Sequence, residues 1–260
     1  PEMLRFAANL SMMFTEHAFP ARFQAAAAAG FDAVEFLFPY DYPAEDIAEW
    51  CRVAGVEQVL FNLSPGNWEA GERGLAALPG RKDEFRQSVR TALDYAGIIG
   101  TSRLHMMAGI ADPSDPAHQA CYREQLAFAA DAAAEQGVTI MIEPINGRDM
   151  PGYFLDDFDR AAGLIEDLGR PNVRLQFDIY HRQILHGDVL TGLKSLMPLI
   201  GHVQIASVPA RNEPGSGELD DFRILKALDG LGYEGFVGCE YRPAAGTLDG
   251  LGWLRAMRGE

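Results

Sequence analysis

Four stretches decide the fold: GVTIMIEPIN (137–146), NVRLQFDIYH (172–181), GHVQIAS (201–207) and GFVGCEYRP (235–243). Each opens on a turn-forming residue, runs through a few mainly apolar positions and reaches an oxygen donor: Glu143, Asp178, Gln204 and Glu240. The same grammar continues upstream. Gly30 precedes FDAVEF, Gly55 precedes VEQVLF, Gly100 precedes TSRLHM, and an opening run from Leu4, LRFAANL, completes the series of eight. Glycine suits the position past a helix because the chain there commonly turns left-handed, so Gly30, Gly55, Gly100, Gly137, Gly201, Gly235 and, in their place once, Asn172 are each expected to mark a helix end. Helical signals fill the intervals, among them the alanine-rich run from Asp115 to Gln136 and Pro20 in a first-turn position. Nearly continuous apolar runs suit parallel strands covered on both faces, and eight βα units of about 30 residues close into a (β/α)8 TIM barrel of the α/β class. The rival, a doubly wound open sheet, usually carries a glycine-rich fingerprint after its first strand, where this chain reads NLSMMFTEH.

The bulk numbers agree with one such domain spanning residues 1–260, because a barrel of this kind commonly needs about 250 residues. The longest irregular stretch, Ser64 to Pro79, is expected to lie over the barrel mouth. Apolar residues form 48% of the chain, enough for a large core, and no run of eighteen or more suggests a membrane span. A net charge of −15 would repel a phosphate backbone, which argues against a nucleic-acid partner and for a small-molecule one. Cys51, Cys121 and Cys239 lie far apart without metal-knuckle spacing, and Pro1 to Leu10 lack the features of a signal peptide, so a reducing cytoplasm is expected. The sequence is compatible with a homo-oligomer.

Active sites in this fold sit where the strands end, at their C-terminal side. Three carboxylates and an amide converging there would repel one another unless something positive lay between them, and a divalent cation is the simplest answer. Oxygen ligands alone favour Mg²⁺ or Mn²⁺ over zinc. The alternative is that each donor is satisfied by loop amides or by a nearby arginine.

The segments RFAANLSMMFTE, GFDAVEFLFPYDYPAEDIA, LFNLSPGNWEAGERG, MIEPIN, FDIYH, HVQIASVPARNEPGSGEL and GFVGCEYRP together resemble the hydroxypyruvate isomerase family of the xylose isomerase-like barrels, close to the 2-oxo-tetronate isomerases. The likeness covers nearly the whole chain. It implies an aldose–ketose type isomerase that interconverts hydroxypyruvate and tartronate semialdehyde, or a related 2-oxo-tetronate, through a metal-stabilised enediolate. It assigns acid and base roles to Glu143 and Glu240, and metal binding to Glu143, Asp178, Gln204 and Glu240. Ser64, Asn67 and Asn212 depart from the family pattern at positions that bear on substrate contacts. Two alternatives share the barrel: a ketose 3-epimerase, which usually has histidine where Gln204 stands, and a sugar-acid-binding barrel without turnover. A DNA-repair nuclease would need several zinc-ligating histidines and a basic groove.

Six further residues are candidates for binding a hydroxy-keto acid substrate. His181 follows Asp178 in FDIYH, in what reads as the loop above strand six, and could meet substrate or orient Asp178. His105 closes the LHM run, as ligand-binding group or as a satisfied barrel histidine. Arg211 and Glu213 lie in VPARNEPGSGEL, which brings a cation and a carboxylate to the substrate or simply forms a turn. Asn62 and Trp68 are placed in the loop after strand three, where an aromatic lid would exclude water. Glu35 either lines the mouth or pairs inside the barrel with Arg5.

Overall fold

In a computed structural model, which describes residues 4–260, the eight apolar runs form strands β1 (Arg5–Asn9), β2 (Ala33–Glu35), β3 (Glu57–Asn62), β4 (Arg103–His105), β5 (Thr139–Ile142), β6 (Val173–Asp178), β7 (Ile200–Ile205) and β8 (Phe236–Cys239). They pair in parallel, each with the next and β8 with β1, and so close a barrel. The helices expected between them are α1 (Phe19–Ala28), α2 (Ala44–Ala54), α3 (Lys82–Ile99), α4 (Pro116–Ala134), α5 (Phe158–Leu168), α6 (Ile179–Leu185), α7 (Val189–Leu196), α8 (Asp221–Gly230) and α9 (Gly252–Met257). Pro1, within the stretch read for a signal peptide, lies outside the described residues.

Local chemistry explains the boundaries. The Asp115 carboxylate accepts from Ala117 N and starts α4, while Pro20 occupies the first turn of α1, where its missing N–H costs nothing. Gly55 and Gly100 end α2 and α3 in the left-handed conformation at φ 70° and 87°. The expectation that every pre-strand glycine ends a helix is corrected in three places. Gly201 is inside β7, where a Cβ would lie 2.6 Å from Arg174 Cβ and from Met141 Cε, so close packing and not a turn requires glycine there. Gly235 lacks a positive φ, and Gly169, rather than Asn172, caps α5; Asn172 instead donates through Nδ2 to Ala130 O and Val138 O.

The main apolar core packs the helices against the strands, with fully buried Phe23, Phe61, Phe158 and Phe177 among its larger side chains. A separate small cluster comprises Ala7, Ala33, Val59, Leu60, Met141 and Phe236. Between strands, buried Asn9, Glu35, Gln176, His202 and Gln204 form a polar layer, stable because its members bond one another. No helix among the described residues is long and apolar enough to cross a membrane.

Candidate active site

At the C-terminal ends of the strands a cavity of about 650 Å³ opens, walled by Asn62, Trp68, His105, Glu143, His181, Arg211 and Glu240 among others. The parallel register sets Asp178 of β6 beside Gln204 of β7, and Gln204 beside Gly238 of β8, so the donors share one level of the barrel. Glu143 and Glu240 are the first residues past β5 and β8, and both are buried.

Asp178 has two tasks at once. Its Oδ1 accepts from Tyr180 N (2.8 Å) and His181 N (3.4 Å) and so caps α6, while Oδ2 is buried without a hydrogen-bond partner. That orphaned oxygen lies 3.6 Å from His181 Nε2 and 3.7 Å from Arg211 Nη2. Glu240 Oε1 accepts from Arg211 Nη2 at 2.6 Å, and its Oε2 accepts from Gln204 Nε2 at 2.6 Å and Asn9 Nδ2 at 3.4 Å. Gln204 Nε2 also donates to Glu35 Oε1 (2.8 Å), and Gln176 Nε2 bridges Gln204 Oε1 (2.6 Å) and Glu143 Oε2 (3.2 Å). His105 Nε2 is buried without a partner, 3.9 Å from Glu143 Oε1.

Burial dominates the electrostatics. It holds the Glu143 carboxyl well above the usual range, with repulsion from Glu240 and Asp178 adding to the effect. Burial likewise pushes Glu240 up to about 8, against the pull of Arg211, and Asp178 up to about 6. The same desolvation lowers His105 to about 3 and His181 well below its ordinary value, so both rings are neutral. One guanidinium among several crowded carboxylates leaves the centre short of positive charge.

Glu143, Asp178 and His181 each offer a ligand atom, and these atoms lie within 4.8 Å of one another. The unpartnered Asp178 Oδ2 and the charge imbalance fit a divalent cation. His181 stands with Nε2 beside that oxygen set, 3.6 Å from Asp178 Oδ2. Its Nδ1 faces Asn146 N (3.3 Å), which as an N–H can only donate, so in the neutral ring the proton resides on Nε2. That tautomer suits His181 to donate towards Asp178 or a bound oxygen.

The structure brings nine of the ten predicted residues to the cavity or directly beneath it, all but Glu213, and refines the setting of several. His181 is in the first turn of α6, not in a loop, and is buried. Asn62 is the last residue of β3 rather than a loop residue, and its carbonyl accepts from Tyr40 Oη at 2.5 Å. Trp68, 39% exposed, packs on Phe38 with ring centres 5.4 Å apart. Glu213 is turned to Ala244 N (2.9 Å) and is absent from the cavity wall, where it ties two loops together. Arg211 is engaged by Glu240, which realises the arginine alternative for that carboxylate. Glu35 does not pair with Arg5: it meets His202 Nε2 at 2.7 Å, while Arg5 donates to Glu234 O and covers the Phe236 ring. Sequence reasoning missed Asn9, Gln176 and His202, and the wall residues Ser11, Arg73 and Arg242. Gln176 and His202 each stand two residues before a recognised donor, the spacing that puts strand side chains on one face.

The family model for xylose isomerase-like TIM barrels matches residues 23–257. The chain is 56% identical to a 2-oxo-tetronate isomerase of Cupriavidus necator, over 99% of this chain and 100% of that protein. It is 42% identical to a hydroxypyruvate isomerase of Escherichia coli, over 98% and 100%. A crystal structure from Brucella melitensis, described as an AP endonuclease of family 2, superposes with a TM-score of 0.96 at 47% identity, covering 98% of this chain and 99% of that one.

Proposed function

Since the chain belongs to the xylose isomerase-like TIM barrel family and is an isomerase by its full-length kinship to named isomerases, we propose that it interconverts a 2-oxo-tetronate with its isomer, and hydroxypyruvate with tartronate semialdehyde as the three-carbon counterpart. The observation that carries this reading is the pair of buried carboxyls, Glu143 and Glu240, that line one cavity at the ends of β5 and β8. Two carboxyls facing one cavity are what abstraction of a proton beside a carbonyl and its return to the neighbouring carbon require.

In the reaction a proton leaves the hydroxyl-bearing carbon next to the carbonyl, the charge spreads over the two oxygens of an enediolate, and a proton returns to the neighbouring carbon. The hydroxyl proton passes between the two oxygens, so atoms balance. Glu143 and Glu240 are the acid and base. Arg211 holds Glu240 Oε1 and leaves Oε2 to Gln204 and Asn9, which fixes the carboxyl plane. His181, with its proton on Nε2, orients Asp178 or donates to a substrate oxygen. His105, with Nε2 unpartnered, awaits an oxygen of the substrate. Trp68 and Asn62 border the opening and limit water at the reactive carbanion.

A divalent cation, Mg²⁺ or Mn²⁺, would be held by Glu143 and Asp178 with Gln204, Glu240 and His181 adjoining, and when bound supplies Lewis-acid stabilisation of developing negative oxygen. We assign the protein a small hydroxy-keto acid as its partner and a cytoplasmic setting; the acidic chain and carboxylate-lined cavity support no nucleic-acid substrate.

The test uses purified protein supplied with Mn²⁺ or Mg²⁺ and proton NMR of each acid. Interconversion is expected, and Glu240→Gln should lower kcat by about 10³-fold or more. Full activity in that variant would remove Glu240 from the acid/base pair, whereas turnover of free ketohexoses with none of keto acids would replace the proposal by a 3-epimerase.

A further inference from the structure

Three arginines, Arg73, Arg211 and Arg242, contribute to the cavity wall. Arg211 is committed to Glu240 and Asp178. Arg242 is exposed at the rim. Arg73 has a different setting. Its guanidinium lies 3.6 Å above the Trp68 ring, and Nη1 alone donates to Trp68 O (2.9 Å) and Glu72 O (2.8 Å). It makes no ion pair among the described residues, so Nε and Nη2 retain N–H groups for a ligand.

The loop that carries it is held firmly. Gly74 N donates to Pro65 O at 2.8 Å, and Gly74 bridges Ala108 beyond β4. The approach is close enough that a Cβ on Gly74 would lie 2.5 Å from Met107 O, so only glycine lets the loop cross there. At the far side Arg81 holds Glu72 at 2.9 Å. Arg73 therefore stands between two anchored neighbours, with an aromatic platform under it and a cavity in front.

We propose that Arg73 is the specificity-determining cation that receives the substrate carboxylate, in a bidentate contact on the Trp68 platform, and that Arg211 does not serve this role. The inference rests on the keto-acid reading above. A planar guanidinium matches a carboxylate edge to edge, and stacking on Trp68 fixes that plane before the ligand arrives. The small-acid end would then lie towards β3 while its hydroxy-keto carbons reach Glu143 and Glu240. A neutral sugar lacks the group that Arg73 is placed to hold.

Kinetics of the wild type, Arg73→Gln and Arg73→Lys, each loaded with Mn²⁺, test this with tartronate semialdehyde and with glyceraldehyde, in which a hydroxymethyl group replaces the carboxylate. For the acid, KM should rise about 10- to 100-fold in Arg73→Gln with kcat within about threefold, and by less in Arg73→Lys, which keeps the charge without the fork. The wild type should prefer the acid, and Arg73→Gln should lose most of that preference. An unchanged KM in both variants, or equal use of acid and neutral compound by the wild type, overturns the proposal. Circular dichroism melting checks folding, and if Arg73→Gln does not fold, the rise in KM for Arg73→Lys decides. A wild type inert towards every hydroxy-keto acid would instead overturn the function on which the inference rests.

Discussion

Glu35 is fully buried, and its carboxylate rests against the backbone of β8: a Cβ on Gly238 would lie 2.3 Å from both of its oxygens. The same carboxylate meets His202 Nε2 at 2.7 Å and Gln204 Nε2 at 2.8 Å, and so reaches Glu240 through the shared amide. Overpacking at such a spot costs about 1–3 kcal/mol, so Gly238→Ala should lower unfolding free energy by about that amount. In a Glu35→Ala background the methyl has room, and the added cost should fall below about 1 kcal/mol. Denaturant titration of the four proteins in this cycle checks it, and additive costs would show that the two residues do not share space. Both positions are plain in the sequence, yet their contact is not. Glu143, Asp178, Gln204 and Glu240 were legible because each ends or nearly ends an apolar run, whereas His202, one partner of Glu35, lies 167 residues from it and only barrel closure brings the two near. Arg73 was hidden for a similar reason, since a loop arginine carries no periodic signal.

Helix α8 shows what an element can conceal. Asp220 caps it by accepting from Arg223 N at 3.1 Å, and Asp221, the next residue, is buried and accepts from Gly215 N at 2.7 Å. Burial first, and Asp220 besides, raise the Asp221 carboxyl to about 6. A carboxyl whose folded value exceeds its unfolded value contributes stability while protonated, and that contribution is lost as pH rises from about 4 to 6. Asp221→Asn keeps an oxygen for Gly215 N and has no charge to bury. At pH 7 it should therefore melt a few degrees above the wild type, with the gap closing near pH 4. A gap that widens on acidification would contradict the assignment. The alternation of strands and helices was readable from punctuation, as Gly55 and Gly100 attest, because a left-handed turn leaves few choices of residue. Gly201 and Gly235 misled for the opposite reason: glycine is also required where side chains crowd, and the sequence does not distinguish that demand.

At the scale of the whole molecule, labour is divided between a closed barrel and what is laid across its mouth. The strands bring the carboxyls to one level, and the stretch after β3 brings Trp68 and Arg73 over them. The sequence predicted both the closure and the covering stretch. It could not reveal how that stretch is fastened, because its pinch is made of backbone: Gly74 N to Pro65 O, and Gly74 against Ala108. Since the chain returns to its starting point at Pro65 and Gly74, residues 66–73 form a small ring whose ties beyond that pinch are side-chain contacts, Trp68 on Phe38 and Glu72 with Arg81. Rewriting that ring is expected to leave the melting temperature within a few degrees, as insertions in surface loops cost little, while changing which acid is turned over. A library of rings with a screen for melting and turnover would check this, and collapse of most variants would count against it. The pinch thus makes the ring an exchangeable cartridge, through which descendants of this barrel can acquire new substrates without renegotiating the fold.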